Sequence, residues 1–252
     1  MIHSIVRKLT RRVAKRASYQ ILTGRLIDKD WPEAGRFLKH DVDEILDNTE
    51  RNMDGLIPEA RLEELSRRGN RLNVYLAVFT VAAYHAFLSA GVEKAYAMEL
   101  LADIGWKVYT AVLTPLRLIA RCGSRNPQKQ IDIMLRILLV FPFSSPGKPD
   151  YECTSWSEPE CFYTNWTHCP PFEFVRNYIE KHGDRGELEA FQRSWCRYDW
   201  AFTYAMVDGR YGVRGHYERP HTLSAGDDVC DMRWRAEVPA VDDNGALLNA
   251  ND

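Results

Sequence analysis

The run from Leu72 to Ala90 limits what this chain can fold into more than any other stretch. It is almost wholly apolar and about long enough to cross a bilayer, yet Asn73, Thr80, His85 and Ser89 interrupt it. Polar groups spaced that way suit a helix buried on all sides by protein, where each can find a neighbour. A central core helix ending at Gly91 is the expectation, with His85 a hydrogen-bonded core histidine rather than a ligand. At 252 residues and 45% hydrophobic content, the chain can wrap one large domain around such a helix, or one domain with a helical extension.

Apolar spacing places further helices on either side. Residues 1–26 carry Arg7, Lys8, Arg11, Arg12, Lys15, Arg16 and Arg25 with no acid, and Ile2, Ile5, Val6, Leu9 and Val13 recur at helical spacing. That is a basic amphipathic helix. Docking on the domain, membrane-surface contact through residues 1–16, and organelle targeting all stay open for it. Residues 27–145 read as a helical region. Its first helix runs from Trp31 to Asn48, capped by Asp30 with Pro32 in the first turn. Beyond Gly91, helices are expected over Val92–Ile104, Lys107–Ala120 and Ile131–Val140, with Pro115 a kink or boundary.

Phe141–Asp150 holds Pro142, Pro146, Gly147 and Pro149, and it marks the clearest change of character. Residues 146–237 read as an α+β region carrying the candidate site. Tyr151–Trp156 and Cys161–Trp166 are strands around a turn, and Pro170-Pro171 opens a helix. A longer helix spans Glu187–Val207, followed by strands over Tyr211–Arg219 and Val229–Arg235. Residues 238–252 form an acidic tail expected to be disordered. The fold class is therefore α+β, with a helical N-terminal half followed by a small antiparallel sheet with two helices.

A formal charge of −2 gives no overall pull toward nucleic acid. Six cysteines without a C-x-x-C pair are too sparse for a disulfide scaffold and point to a reduced, cytoplasmic protein. A Gly-rich phosphate loop, a G-x-S-x-G elbow and an H-E-x-x-H helix are all missing, which removes the commonest nucleotide, serine-hydrolase and zincin readings.

The polar chemistry gathers between Thr164 and Trp234. On the expected helix Glu187–Val207, Leu188, Phe191, Trp195, Tyr198 and Phe202 form an apolar stripe. At about 100° per residue, Asp199 falls at the rim of that stripe, with Cys196 and Thr203 further round the same flank. Apolar surroundings would perturb both the carboxylate and the thiol. In the last strand, Cys230 shares the core-facing side with Met232 and Trp234, leaving Asp231 and Arg233 to the opposite surface or to a pocket. In the strand before it, Arg214, His216 and Glu218 alternate with Val213, Tyr217 and Arg219. His216 and Arg219 could serve a site or ordinary cross-strand pairs. His168, Cys169, Cys196, Asp199, His216 and Cys230 are all permitted zinc ligands, but neither His168-Cys169 nor Cys196-x-x-Asp199 is a familiar zinc pair. No cofactor is expected, with zinc kept open.

At these residues the chain resembles the L-2-amino-thiazoline-4-carboxylic acid hydrolase family. The similarity is an ordered set of short patterns: His168-Cys169-Pro170, Cys196-x-x-Asp199, Arg219-x-x-Thr222-Leu223, and Gly226-Asp227-x-x-Cys230-Asp231-x-Arg233. Leu76–Gly91 followed by Glu93-x-x-Tyr96-Ala97 also looks like the family's helix-Gly-helix portion. Met232 departs from the pattern by standing where an aromatic is expected. The final strands look somewhat like 4-vinyl-reductase domains, a likeness of fold only.

The resemblance implies a small-molecule hydrolase that opens a ring or cleaves a C–S, C–N or C–C bond in specialised metabolism. In the family's name reaction, water adds to a cyclic isothiourea at the carbon between S and N, and the thiolate leaves. Catalysis would then fall to Cys169, Cys196 and Asp199, with Asp199 as base or orienter and a cysteine as nucleophile or pocket thiol. Substrate binding would fall to Asn165, His168, His216, Arg219, Cys230, Asp231 and Arg233, with Arg219 or Arg233 gripping a carboxylate. A lyase, isomerase or cyclase in the same pocket, or a non-catalytic ligand-binding module, are the alternatives.

Overall fold

A computed structural model describes residues 2–23, 37–207 and 213–237. The central apolar run forms α3 (Arg68–Ser89), and Val78, Tyr84 and Phe87 on it are all but inaccessible. Around it lie α1 (Ile2–Leu22), α2 (Lys39–Leu56), α4 (Lys94–Gly123) and α5 (Pro127–Val140). A hairpin of β1 (Glu152–Glu158) and β2 (Cys161–His168) follows, then α6 (Pro170–His182), α7 (Glu187–Phe191) and α8 (Tyr198–Met206). Strands β3 (Arg214–Glu218) and β4 (Cys230–Glu237) complete an antiparallel sheet in the order β1-β2-β4-β3. The fold is α+β, as the periodicity predicts.

Three helical expectations change. The two helices read on either side of Trp106 are one continuous α4, which passes through Pro115. The helix expected from Trp31 begins instead at Lys39, where the Asp41 carboxylate accepts from the Leu38 N–H at 2.7 Å. Asp30 and Pro32 lie outside the described residues, as does the acidic tail. The helix read over Glu187–Val207 is broken by a π-helical turn, Gln192–Cys196, in which Arg197 N–H reaches Gln192 O at 3.1 Å.

The described side chains of α1 dock on the domain. Ala14, Ala17 and Leu22 are buried, and the last two join the core cluster with Val42, Ile45, Phe87 and Leu100. Arg11 pairs with Asp47 and Glu50, and Lys15 with Asp43 at 2.6 Å, so an acidic face of α2 meets these two bases.

The sheet packs its inner face on α5 and α8. Alternation puts Phe162, Thr164 and Trp166 of β2 on that side with Cys230, Met232 and Trp234 of β4, in register as Phe162↔Trp234, Thr164↔Met232 and Trp166↔Cys230. Gly215 in β3 lies against the Thr203 backbone of α8, a contact that a Cβ would block. Gly105 of α4 gives Tyr198 the same close access, and the Tyr198 hydroxyl donates to the Ala102 carbonyl. Helix α8 is thus held between α4 and β3 at fixed depth.

One carboxylate joins the two halves of the chain. The residue preceding α3, Arg67, provides no side-chain cap. Asp150, only 2% exposed, does the work from far along the sequence. It accepts from Ser66 N–H at 2.9 Å, Ser66 Oγ at 2.7 Å, Arg67 N–H at 3.2 Å and Asn70 Nδ2 at 2.8 Å. A negative charge at a helix start also suits the macrodipole. Burial alone would raise the Asp150 carboxyl, but the bonds from Ser66, Arg67 and Asn70 outweigh it and hold the group below its usual range. Asp150→Ala should therefore cost about 3 kcal/mol or more at pH 7, since it orphans several buried donors. The Asp150 contribution is present above the unfolded carboxyl's range and fades as pH falls below about 4. Urea denaturation at pH 7 and pH 3 checks both the loss and its fading.

Candidate functional site

The π-helical turn sets the centre of the site. A turn closed by i→i+5 bonds takes in one residue more than an α-turn and shifts the phase of everything beyond it. Here Tyr198 and Phe202 point toward α4, where Tyr109 stacks on Tyr198 at 5.9 Å and meets Phe202 edge-on at 5.6 Å. Asp199, in the first turn of α8, meets the end of β3 instead. Arg219, just beyond β3, reaches it at 3.0 Å, and the two side chains are only 15% and 25% exposed. The Tyr217 hydroxyl lies 3.5 Å from the same Asp199 oxygen, and the Arg219 guanidinium rides over the Tyr217 ring at 5.8 Å.

Burial dominates the electrostatics. It raises the Asp199 carboxyl to about 6, although Arg219 and the Tyr217 hydroxyl pull the other way. A nearby cation normally lowers a carboxyl, so the net rise shows how strongly the aromatic surroundings disfavour the charge. Burial also raises the Tyr109 hydroxyl, with a smaller contribution from Asp199.

Three thiols surround this pair. Cys196 closes the π-helical turn, with its Sγ 3.5 Å from Ser224 Oγ. Ser224 sits in a short 3-10 turn, Leu223–Ala225, whose carbonyl at Ser224 accepts from Gln192 Nε2 at 2.6 Å. That turn closes over Cys230, whose Sγ accepts from the Leu223 N–H at 3.2 Å. Cys169 precedes α6, and its carbonyl accepts from Glu173 N–H at 2.9 Å. The Phe172 N–H faces the Cys169 thiol and opposes part of the rise that burial causes.

All three thiols are pushed up by burial, Cys230 to about 11 and Cys169 well above the usual thiol value. Arg219 moderates Cys196 but does not reverse the direction. None rests as a thiolate at neutral pH, so none is a ready nucleophile without a base. Iodoacetamide at pH 7 should label the exposed Cys122 first and leave Cys169, Cys196 and Cys230 slow. Labelling of Cys196 as fast as Cys122, read by mass spectrometry of the peptides, would contradict this.

The residues selected from sequence divide between the two faces of the sheet. Cys169, Cys196, Asp199, Arg219 and Cys230 come together on the inner side. Asn165, His216, Asp231 and Arg233 do not join them, because strand alternation turns them to the outer face. Asn165 stands opposite Asp231 in the register. Asp231 accepts from the His221 backbone at 2.7 Å and ring at 3.1 Å. His216 bridges Glu218 at 3.1 Å and Glu237 at 3.0 Å, and Arg233 lies 3.4 Å from Glu218. Partly exposed pairs of this kind contribute little to stability and lie on the wrong side for Asp199.

His168 has a third role. Its Nδ1 donates to the Asp150 carbonyl at 2.7 Å, tying the end of β2 to the cap of α3. A carbonyl only accepts, so Nδ1 carries the proton and Nε2 faces Glu173 at 3.7 Å.

Tyr217, Tyr109 and Ser224 belong to the site and escape a reading by motif. Tyr217 has a usable signal, since it shares a strand face with Arg219. Tyr109 and Ser224 come from distant elements and have none. Among the described residues, no group of three or more His, Cys, Asp or Glu side chains is placed to hold a metal ion. Fold and geometry thus define an α+β protein with a partly buried, ion-paired carboxylate among neutral thiols. Comparison with protein-family models, curated proteins and solved structures finds no match to the chain. The family likeness rests on the ordered motifs alone.

Proposed function

We propose that the protein is a small-molecule hydrolase in which Asp199 is the general base and Arg219 holds an anionic group of the substrate. The observation that carries this reading is the Asp199 carboxyl, raised to about 6 by burial while 3.0 Å from Arg219. A base works best when its pKa lies near the working pH, and at pH 7 this one is mostly ionised and ready to take a proton. Arg219 has donors to spare beyond those facing Asp199, in the planar fork that suits a carboxylate.

For a cyclic isothiourea carboxylate the steps balance without a cofactor. Asp199 takes a proton from water as the water oxygen bonds to the ring carbon between S and N. The ring nitrogen takes the C=N electron pair. As the tetrahedral intermediate collapses, the new hydroxyl passes its proton to that nitrogen, the carbonyl forms, the C–S bond breaks and Asp199 returns its proton to the leaving sulfur. Cys196 and Cys169 then serve as neutral walls. A cysteine nucleophile would first have to give its proton to Asp199, which its raised pKa makes the costlier route.

The full chain should be screened against 2-amino-thiazoline-4-carboxylate and related thiazolines and cyclic amidines, following thiol release. Cys196→Ala should keep a rate within about tenfold of the parent, while Asp199→Asn should lose on the order of a hundredfold or more. Absence of turnover across the screen, with tight binding retained, would favour a ligand-binding module. A near-parental Asp199→Asn rate would remove the mechanism.

A further inference from the structure

The two donors that meet Asp199 share one of its oxygens. Arg219 Nη1 lies 3.0 Å from Oδ2, and the Tyr217 hydroxyl lies 3.5 Å from the same atom. Among the described residues, no donor meets Oδ1. The Asp199 side chain is 25% exposed, so a small molecule can reach it. A carboxylate gripped by two donors on one oxygen is fixed in orientation and keeps the other oxygen for a proton.

Tyr217 serves both members of the pair. Its hydroxyl donates to Asp199, while its ring lies 5.8 Å under the Arg219 guanidinium, within the range of cation–π attraction. The ring is itself anchored. It stands opposite Trp234 in the β3–β4 register and packs on that indole at 4.7 Å, and Trp234 Nε1 donates to Thr164 Oγ1 at 3.1 Å. Burial pushes the Tyr217 hydroxyl well above its usual value, and Asp199 adds to the rise, so it stays a neutral donor. Tyr109 of α4, Tyr151 ahead of β1, Cys169, Cys196 and Cys230 also lie within electrostatic range of Asp199. Among the described residues, only Tyr217 and Arg219 add to this a direct bond that can orient the carboxylate.

We propose that Tyr217 is the positioning residue of the site: its hydroxyl helps Arg219 hold Asp199 Oδ2 so that Oδ1 takes the proton from water, and its ring carries the guanidinium that receives the substrate anion. The inference rests on the hydrolase reading and adds to it which carboxylate oxygen works and what aims it. Contacts as long as 3.5 Å are common in unliganded sites and tighten when substrate binds.

Tyr217→Phe removes the hydroxyl and keeps the ring, whereas Tyr217→Leu removes both, with Tyr217→Met in its place if Leu lowers the melting temperature. The intact proteins are compared in two ways. Carbon NMR follows the Asp199 titration and needs no substrate, and turnover of 2-amino-thiazoline-4-carboxylate gives the pH dependence of kcat/KM. A donor to the carboxylate favours its ionised form, so losing the hydroxyl raises the midpoint. In Tyr217→Phe the midpoint should rise by about half a pH unit or more, and the acid limb of kcat/KM should move with it. Turnover at pH 5 should then fall about threefold or more, with KM at pH 8 within about twofold of the parent. Tyr217→Leu should show the same rise in midpoint and, in addition, a KM about fivefold higher.

An Asp199 midpoint unchanged or lowered in Tyr217→Phe would overturn the proposal, and so would equal KM values in the Phe and Leu variants. A raised midpoint with no turnover by the parent would remove the hydrolase reading and leave the Tyr217 hold on Asp199 standing.

Discussion

Asp199→Asn should make the protein more stable at pH 7 while removing turnover. The reasoning starts from the Asp199 carboxyl, which burial raises to about 6 in the folded chain. In the unfolded chain it titrates near 4. A carboxyl raised on folding is bound more tightly to its proton in the native state, so its ionisation opposes folding. Below about pH 4 the group is neutral in both states and contributes nothing to the difference. As pH rises from about 4 through about 6, the unfolded chain ionises first and stability falls, by up to ~3 kcal/mol at pH 7. Asparagine resembles the neutral acid at every pH and should recover up to that amount at pH 7 and little at pH 4. A residue that costs stability where it stands is what a working base in an apolar site would be. Guanidinium denaturation at the two pH values, beside the turnover assay, reads both halves. A variant less stable than the parent at pH 7 would mean that the Arg219 pairing is worth more than the burial costs.

A large loss of stability is expected at Glu187, comparable to that at Asp150. Its side chain is fully inaccessible, with His85 Nε2 at 2.7 Å, the Arg185 N–H at 2.6 Å and Arg185 Nε at 3.4 Å. Burial alone would raise this carboxyl, yet the bonds from His85 and the backbone outweigh it and hold it at about 2. Glu187 fastens the start of α7 to α3, and the Tyr84 hydroxyl strengthens the same junction by donating to the Arg185 carbonyl at 3.1 Å. Glu187→Gln should cost about 3 kcal/mol at pH 7, since it leaves His85 and Arg185 without their buried partner. For a carboxyl depressed on folding, the contribution is complete above the unfolded value and disappears as pH falls from about 4.5 toward about 2. The gap between parent and variant should therefore be wide at pH 7 in urea denaturation and nearly closed at pH 2. A gap of the same size at both would assign the loss to packing rather than charge.

Different parts of the molecule were legible for different physical reasons. Helix α3 is readable because a long apolar run with scattered polar groups has few other stable placements. The inward Cys230 and outward Asp231 and Arg233 follow from strand alternation, which has a strict period of two. Helix α4 defeats the same logic. Pro115 predicts a boundary, but the buried Leu113 and Ala120 on either side hold the helix through it. The π-helical turn at Gln192–Cys196 leaves no periodic trace, so the angular placement of Cys196 and Asp199 on an ideal helix does not carry over. The pairing of Asp199 with Arg219, and of Cys196 with Ser224, depends on how α8, β3 and a 3-10 turn meet in space. Local spacing holds no record of that meeting. His216 illustrates the opposite hazard, a reactive residue type inside the right stretch whose strand phase turns it to the outer face.

The most direct measurement is a titration of the Asp199 side-chain carbon by NMR in the intact protein, with the resonance assigned through Asp199→Asn. A midpoint near 6 is expected, together with a further upward move when a carboxylate ligand joins Arg219. A midpoint at or below 4, unmoved by ligand, would mean that Asp199 is a settled structural ion pair, and the reading of this cluster as a catalytic site would fall with it.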